Sequence, residues 1–173
     1  MRPDPAARTV AGLAHLPDEA RLWIFGASRP ISEQQVAPLV SSTERFLEGW
    51  AAHGQALAAA FDWRYDRFLM VAVDEDHTAP SGCSIDALTD HVKHLETELD
   101  VSLLDGGAVW FRDATGIRRV DRREFREMAA RGEVDGDTIV FDLAVQCLGD
   151  VRTGGWERPA ASSWHARLLP SAG

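Results

Sequence analysis

Lysine is almost missing from this sequence: Lys93 is the only one in 173 residues. A nucleotide-binding loop of form GxxxxGK[ST] needs a lysine against the phosphates, placed after a glycine-rich turn. No glycine run precedes Lys93, so that kind of phosphate site is excluded. Cysteine is scarce too, with only Cys83 and Cys147. One disulfide is arithmetically possible. Residues 1–16 carry no continuous apolar segment of the secretory type, so reduced thiols and a cytoplasmic location are expected. No stretch approaches the roughly 18 apolar residues of a membrane span. The motifs GxSxG, GxGxxG and HExxH are absent, as are internal repeats and low-complexity linkers.

Positive charge is also in short supply. Lys plus Arg is 18 against 27 Asp plus Glu, a net charge of −9. Binding along a phosphate backbone or an anionic membrane needs clustered positive charge, so neither nucleic acid nor membrane is expected as a partner. Arg118, Arg119, Arg122, Arg123 and Arg126 form the one dense basic set. Such a run reads as a solvated turn and helix face. Hydrophobic residues at 45% and a length typical of one domain point to an ordinary globular core.

Residues 1–20 read as a loose N-terminal arm that joins the fold near Leu16, and residues 21–169 as one domain. Residues 21–28 (RLWIFGAS) read as a buried strand. Ser32 with Gln35 fits a capping box opening a helix. Val36, Leu39, Val40, Phe46, Leu47 and Trp50 give that helix an apolar face, and Gly54 offers a stop. Pro38 lacks a backbone donor and should bend the helix or delay its start. Residues 57–65 and 67–74 read as two strands around a tight turn at Tyr65 and Asp66. After an acidic loop, Ser84 opens a second helix with Ile85, Leu88, Val92, Leu95 and Leu99 on one stripe. Residues 109–112 and 117–120 form a hairpin. Asp121 caps a short helix that ends at Gly132, and residues 138–143 form a further strand. Six tryptophans, two of them in the tail, predict that the tail packs back on the body. The fold class is α+β. The core is a ferredoxin-like split βαβ with helices on one sheet face, followed by a hairpin-helix-strand extension.

Six segments stand together: WAAHG at 50–54, VAVDE at 71–75, SGCSID at 81–86, VWFRD at 109–113, TIVFD at 138–142 and SWHARLL at 163–169. The set resembles a bacterial family of small proteins that carry the label "ABC transporter ATPase", over nearly the whole chain from about residue 20. The resemblance implies no catalytic roles. The activity in the label is excluded by the missing phosphate loop and by a chain too short for a nucleotide-binding domain. Residues 109–141 are also similar in shape to GYF-type peptide-binding modules, without their aromatic signature.

The segment FLMVAVDEDHTAPSGCSID carries the clearest candidate site. A strand ending in acids, a loop and a helix start is a common place for chemistry, because a rigid sheet positions the loop and helix N-termini offer free N–H groups. Cys83 sits at that helix start, with Gly82 and Ser84 on either side as candidate binding residues. A thiol near a helix N-terminus is a candidate nucleophile, while Asp74, Glu75, Asp76 and Asp86 oppose its ionisation. The bland reading is a small buried residue tightening the loop. Cys147 reads as core. His165 in SWHARLL is the candidate base, with Asp74 or Glu75 as candidate acids. His165 otherwise reads as a packed histidine, and its neighbour Trp164 is a candidate binding residue. His53 is a further one, read most simply as capping the first helix C-terminus. Asp74, Asp76, His77, Cys83, His91 and His94 offer metal-ligand atoms. Only His91 and His94 are tightly spaced, and no second Cys or His pair completes a zinc pattern, so no metal and no cofactor is expected.

Two readings compete. One is a non-catalytic binding or regulatory protein, with a groove lined by tryptophan. Its partner would be a small molecule or a protein, a second copy of the chain included. The other is a small enzyme with Cys83 as nucleophile and His165 as base, both in one pocket.

Overall fold

The computed structural model describes residues 10–171. In chain order its elements begin β1 (Val10–Ala11), β2 (Arg21–Gly26), α1 (Glu33–Glu48), β3 (Ala51–Ala52), β4 (Gln55–Ala56), β5 (Ala58–Arg64), β6 (Phe68–Asp74) and α2 (Gly82–Leu99). They continue with β7 (Ala108–Asp113), β8 (Gly116–Asp121), α3 (Arg122–Ala130), β9 (Ile139–Phe141), α4 (Leu148–Arg152) and β10 (Glu157–Pro159). One antiparallel sheet has the order β1-β5-β6-β2, the second β10-β9-β7-β8, and β3 and β4 form a small hairpin.

Alternation along the central strands sets the layers. Successive side chains of a strand point to opposite faces. In β6, Leu69, Val71 and Val73 join Phe61 and Trp63 of β5 under α1 and α2. Phe68, Met70 and Ala72 face the second sheet, against Trp110, Phe141 and Trp156. A strand covered on both sides needs an unbroken apolar run, which FLMVAV supplies. The second sheet repeats the logic: Val109, Phe111 and Val140 turn away from the first sheet and pack on Phe125 and Met128 of α3. The layers are therefore helices, sheet, sheet, helix. Between the sheets lies an aromatic stratum, with Phe68 4.8 Å from Phe141 and Trp156 5.2 Å from Phe141 by ring centroid. Trp156 brings the tail back onto the body through this stratum.

The expected ferredoxin-like core meets one obstacle. Strands β2, β6 and β5 lie side by side with α1 and α2 on one face. A complete core of that type has a further strand after α2, beside β2. Residues 100–107 form none; Ser28 N–H donates to the Ser102 carbonyl at 2.9 Å, Ser102 N–H donates to Ser28 Oγ at 3.0 Å and Arg29 donates to the Asp100 carbonyl at 3.1 Å, all beyond the end of β2. The architecture is mixed α and β with antiparallel sheets, and the outer place beside β2 is open.

The N-terminal arm is bound earlier than the sequence suggests. Residues 1–9 lie outside the described residues. From Val10 onward the chain is an edge strand, Val10 opposite Trp63 and Ala11 opposite Asp62. Oδ1 of Asp62 accepts the N–H groups of Gly12 (2.7 Å) and Leu13 (3.0 Å), and Oδ2 meets the Arg64 guanidinium at 2.6 Å. Asp62 is buried, so these partners satisfy a carboxylate that would otherwise be costly there. Gly12 is required by contact: a Cβ there would stand 2.5 Å from the Phe61 carbonyl oxygen.

Helix starts follow the sequence better than helix ends. Ser32 caps α1, its N–H donating to Gln35 Oε1 at 3.2 Å. Pro38 lies inside the helix and does not delay its start. The expected stop at Gly54 is wrong: α1 ends at Glu48 with Gly49 as its cap. His53 (φ 51°) and Gly54 (φ 76°) instead form the two-residue turn between β3 and β4, where left-handed backbone is needed. His53 is therefore a turn residue rather than a helix cap. Asp121 caps α3 as expected, accepting from Glu124 N–H at 2.7 Å.

Candidate binding cleft and the predicted thiol site

The bend into α2 falls earlier than the sequence suggests. Ser81, not Ser84, is the cap. Ser81 Oγ accepts from Ser84 N–H at 3.2 Å, and Ser84 Oγ accepts from Ser81 N–H at 2.6 Å. This reciprocal closure buries Ser84, whose carbonyl accepts from the Trp50 indole at 2.7 Å. Cys83 becomes the second residue of the helix and is exposed, not a buried loop-tightener. With Gly82, Ser84, His53, Phe46 and Trp50 it lines an open hollow.

The two members of the proposed catalytic pair lie apart. Cys83 belongs to the helical layer over the first sheet. His165 lies beyond the second sheet, in the 3-10 turn Trp164–Leu168, beside Phe125 of α3. Both sheets separate them. His165 is wholly buried: Nδ1 meets Ser163 Oγ at 2.7 Å, and Nε2 has no partner among the described residues. Its pKa is lowered to about 4, chiefly because burial penalises the charged ring. Nearby Arg158 and Arg122 push the same way, and Asp142 opposes them. A buried neutral ring fits the packed-histidine reading and not a base for Cys83.

The acids are engaged elsewhere. Asp74 Oδ1 accepts from Asp76 N–H at 3.0 Å, and Glu75 stands 3.6 Å from Arg21. Neither lines the hollow of Cys83. The histidine pair on α2 is split by the helix surface. His91 is buried, stacked on Phe46 at 4.5 Å and within 3.2 Å of Thr43 Oγ1, while His94 faces outward to Glu98. Among the described residues no three metal-ligating side chains come together. Cys147 is half-buried rather than core; its thiol donates to the Asp18 carbonyl at 2.8 Å, just before α4.

A different place gathers more. Trp164 lines a partly enclosed cavity of about 320 Å³ with Phe25, Leu103, Leu104, Trp110, Arg122 and Leu143. Pockets for small ligands begin near that size. Leu104 is the one large apolar side chain among the described residues that stands exposed. Arg122 lies at this cavity with its guanidinium 4.9 Å from the Trp164 ring centroid, and it donates to the Gly106 carbonyl at 3.1 Å. Among the described residues it has no carboxylate partner. Asp105, also at the wall, is paired with Arg119. Gly26 keeps the inner wall close: a Cβ there would reach 2.7 Å from the Trp110 ring.

Of the cleft's residues, Trp164 alone is a binding candidate on sequence grounds. Residues 100–107 carry a signal, two adjacent leucines in a stretch without helical or strand period. Arg122 was hidden in a basic run that is otherwise a helix face. The chain matches no known protein family, and comparisons with curated proteins and with solved structures also give no match.

Proposed function

We propose that this is a non-catalytic binding protein of the cytoplasm whose ligand occupies the cleft at the outer edge of β2. One observation carries the reading: tryptophan, phenylalanine and leucine side chains converge on a cavity of ligand size with a single uncompensated cation at its wall. Arg122 supports a ligand with an anionic group, since a charge-assisted hydrogen bond is stronger than a neutral one. The test is binding of anilinonaphthalene sulfonate, an apolar anionic dye, to wild type and to Ala144→Trp. Ala144 is exposed at the cleft wall, so bulk there blocks the cavity without entering the core. Dye emission that rises with wild type and not with the variant supports the reading; equal emission refutes it.

A second reading, a small enzyme with Cys83 as nucleophile, rests on the exposed thiol and on its sharing a hollow with His53. It takes His53 in place of His165 as the neighbouring base. Iodoacetamide labelling at neutral pH decides: a rate like that of a free cysteine in a peptide removes this reading.

A further inference from the structure

We propose that the open place beside β2 receives the carboxyl-terminal end of another polypeptide, added to the first sheet as a short strand. The inference rests on the binding reading of the same cleft and names its occupant. The backbone directions carry it. Ala27 N–H donates to the Arg67 carbonyl at 2.7 Å, so the odd-numbered residues of this strand are the ones bonded toward β6. The even-numbered ones point outward. Two of them are taken: Leu22 N–H donates to the Gln146 carbonyl and Ser28 N–H to the Ser102 carbonyl, both at 2.9 Å. Between these two bonds the outward N–H and C=O groups of Ile24 and Gly26 have no partner among the described residues.

The cleft lies at that bare edge. Ile24 and Phe25 are consecutive and point to opposite faces, so a cavity touched by both must sit at the strand's edge. Residues 103–106 and 143–144 form its flanks. A hydrocarbon ligand would shut four backbone polar groups away from water without partners, which is unfavourable. An extended peptide pairs with them and sends alternate side chains toward Trp110 and Phe25. The stretch from Leu22 to Ser28 is about 20 Å long and closed at both ends, which leaves room for about three residues. A chain end fits such a slot better than a passing segment. Of the two chain ends the carboxylate suits the wall, because Arg122 is the uncompensated charge there.

The experiment is an amide NMR titration of the full chain with a pooled library of acetylated tripeptide acids bearing apolar side chains. The expected result is perturbation of the Ile24 and Gly26 amides, which have no backbone partner in the free protein and gain one, with added exchange protection, on binding. The corresponding tripeptide amides should bind at least about tenfold more weakly, as removal of one charge-assisted contact implies. Arg122→Ala should bind acid and amide alike. Acids and amides binding wild type equally would overturn the chain-end assignment. No change at Ile24 and Gly26 with millimolar peptide, while the dye still enters the cleft, would overturn the peptide and leave the binding reading standing. Failure of both peptide and dye would overturn the two together.

Discussion

Acidification should unfold this protein through two histidines that lie in different layers. His91 is buried between α1 and α2, and His165 lies beyond the second sheet. Burial is the main cause that lowers each pKa from 6.5 to about 4. Both rings are neutral in the folded protein above that value, whereas the unfolded chain takes up protons from about pH 6.5 downward. Between these limits the unfolded state binds more protons, so stability is complete above about pH 6.5 and is lost as the pH falls toward 4. At neutral pH neither ring carries a charge in either state; acidification to about pH 4 then removes about 3 kcal/mol of stability per histidine. Urea titrations followed by tryptophan fluorescence, between about pH 7 and pH 4, measure the loss. Carboxylates also titrate in this range, so the decisive quantity is a difference. His91→Phe leaves Thr43 Oγ1 donating to the Leu39 carbonyl, and His165→Phe leaves Ser163 Oγ donating to the Ala160 carbonyl. Each variant should show a pH dependence smaller than wild type by about 3 kcal/mol over that window. A His165→Phe variant with an unchanged slope would refute the argument that this ring is held neutral by its surroundings.

Three further outcomes follow from single contacts. Asp62→Ala strips Leu13 N–H of its acceptor, leaves Gly12 N–H with the Phe61 carbonyl alone and takes the carboxylate from Arg64, so it should cost about 2–3 kcal/mol in urea unfolding, with Asp62→Asn recovering part of the loss. Gly26→Ala drives a methyl group into the Trp110 ring and should cost about 1–3 kcal/mol, with a change in near-UV circular dichroism as Trp110 moves. Cys83→Ser should stay within about 0.5 kcal/mol of wild type, since the thiol is exposed; a larger loss would show that the sulfur packs.

The local elements were legible because short-range chemistry makes them. Ser32 with Gln35 and Asp121 with Glu124 mark helix starts through bonds that close within one turn. The run at residues 68–73 announces a strand covered on both faces. Helix ends were less legible: Gly54 serves equally as a helix stop or a hairpin turn, and only the pairing of β3 with β4 chose between them. The thiol site was half legible. Its neighbours Gly82 and Ser84 come from the same stretch of chain, but the separation of Cys83 from His165 depends on which sheet each packs against.

The apolar alternation, the caps of α1 and α3 and the absence of a phosphate loop follow from the order of residues alone, since each is a matter of side chains a few positions apart. Tertiary structure decided the rest. Asp62 holds residues 12 and 13 across some fifty positions of chain. The cleft joins residues 24, 104, 122, 143 and 164, which share nothing in sequence. Its existence depends on a strand that does not form after α2, and sheet neighbours are chosen by packing between whole layers, beyond the reach of any local pattern.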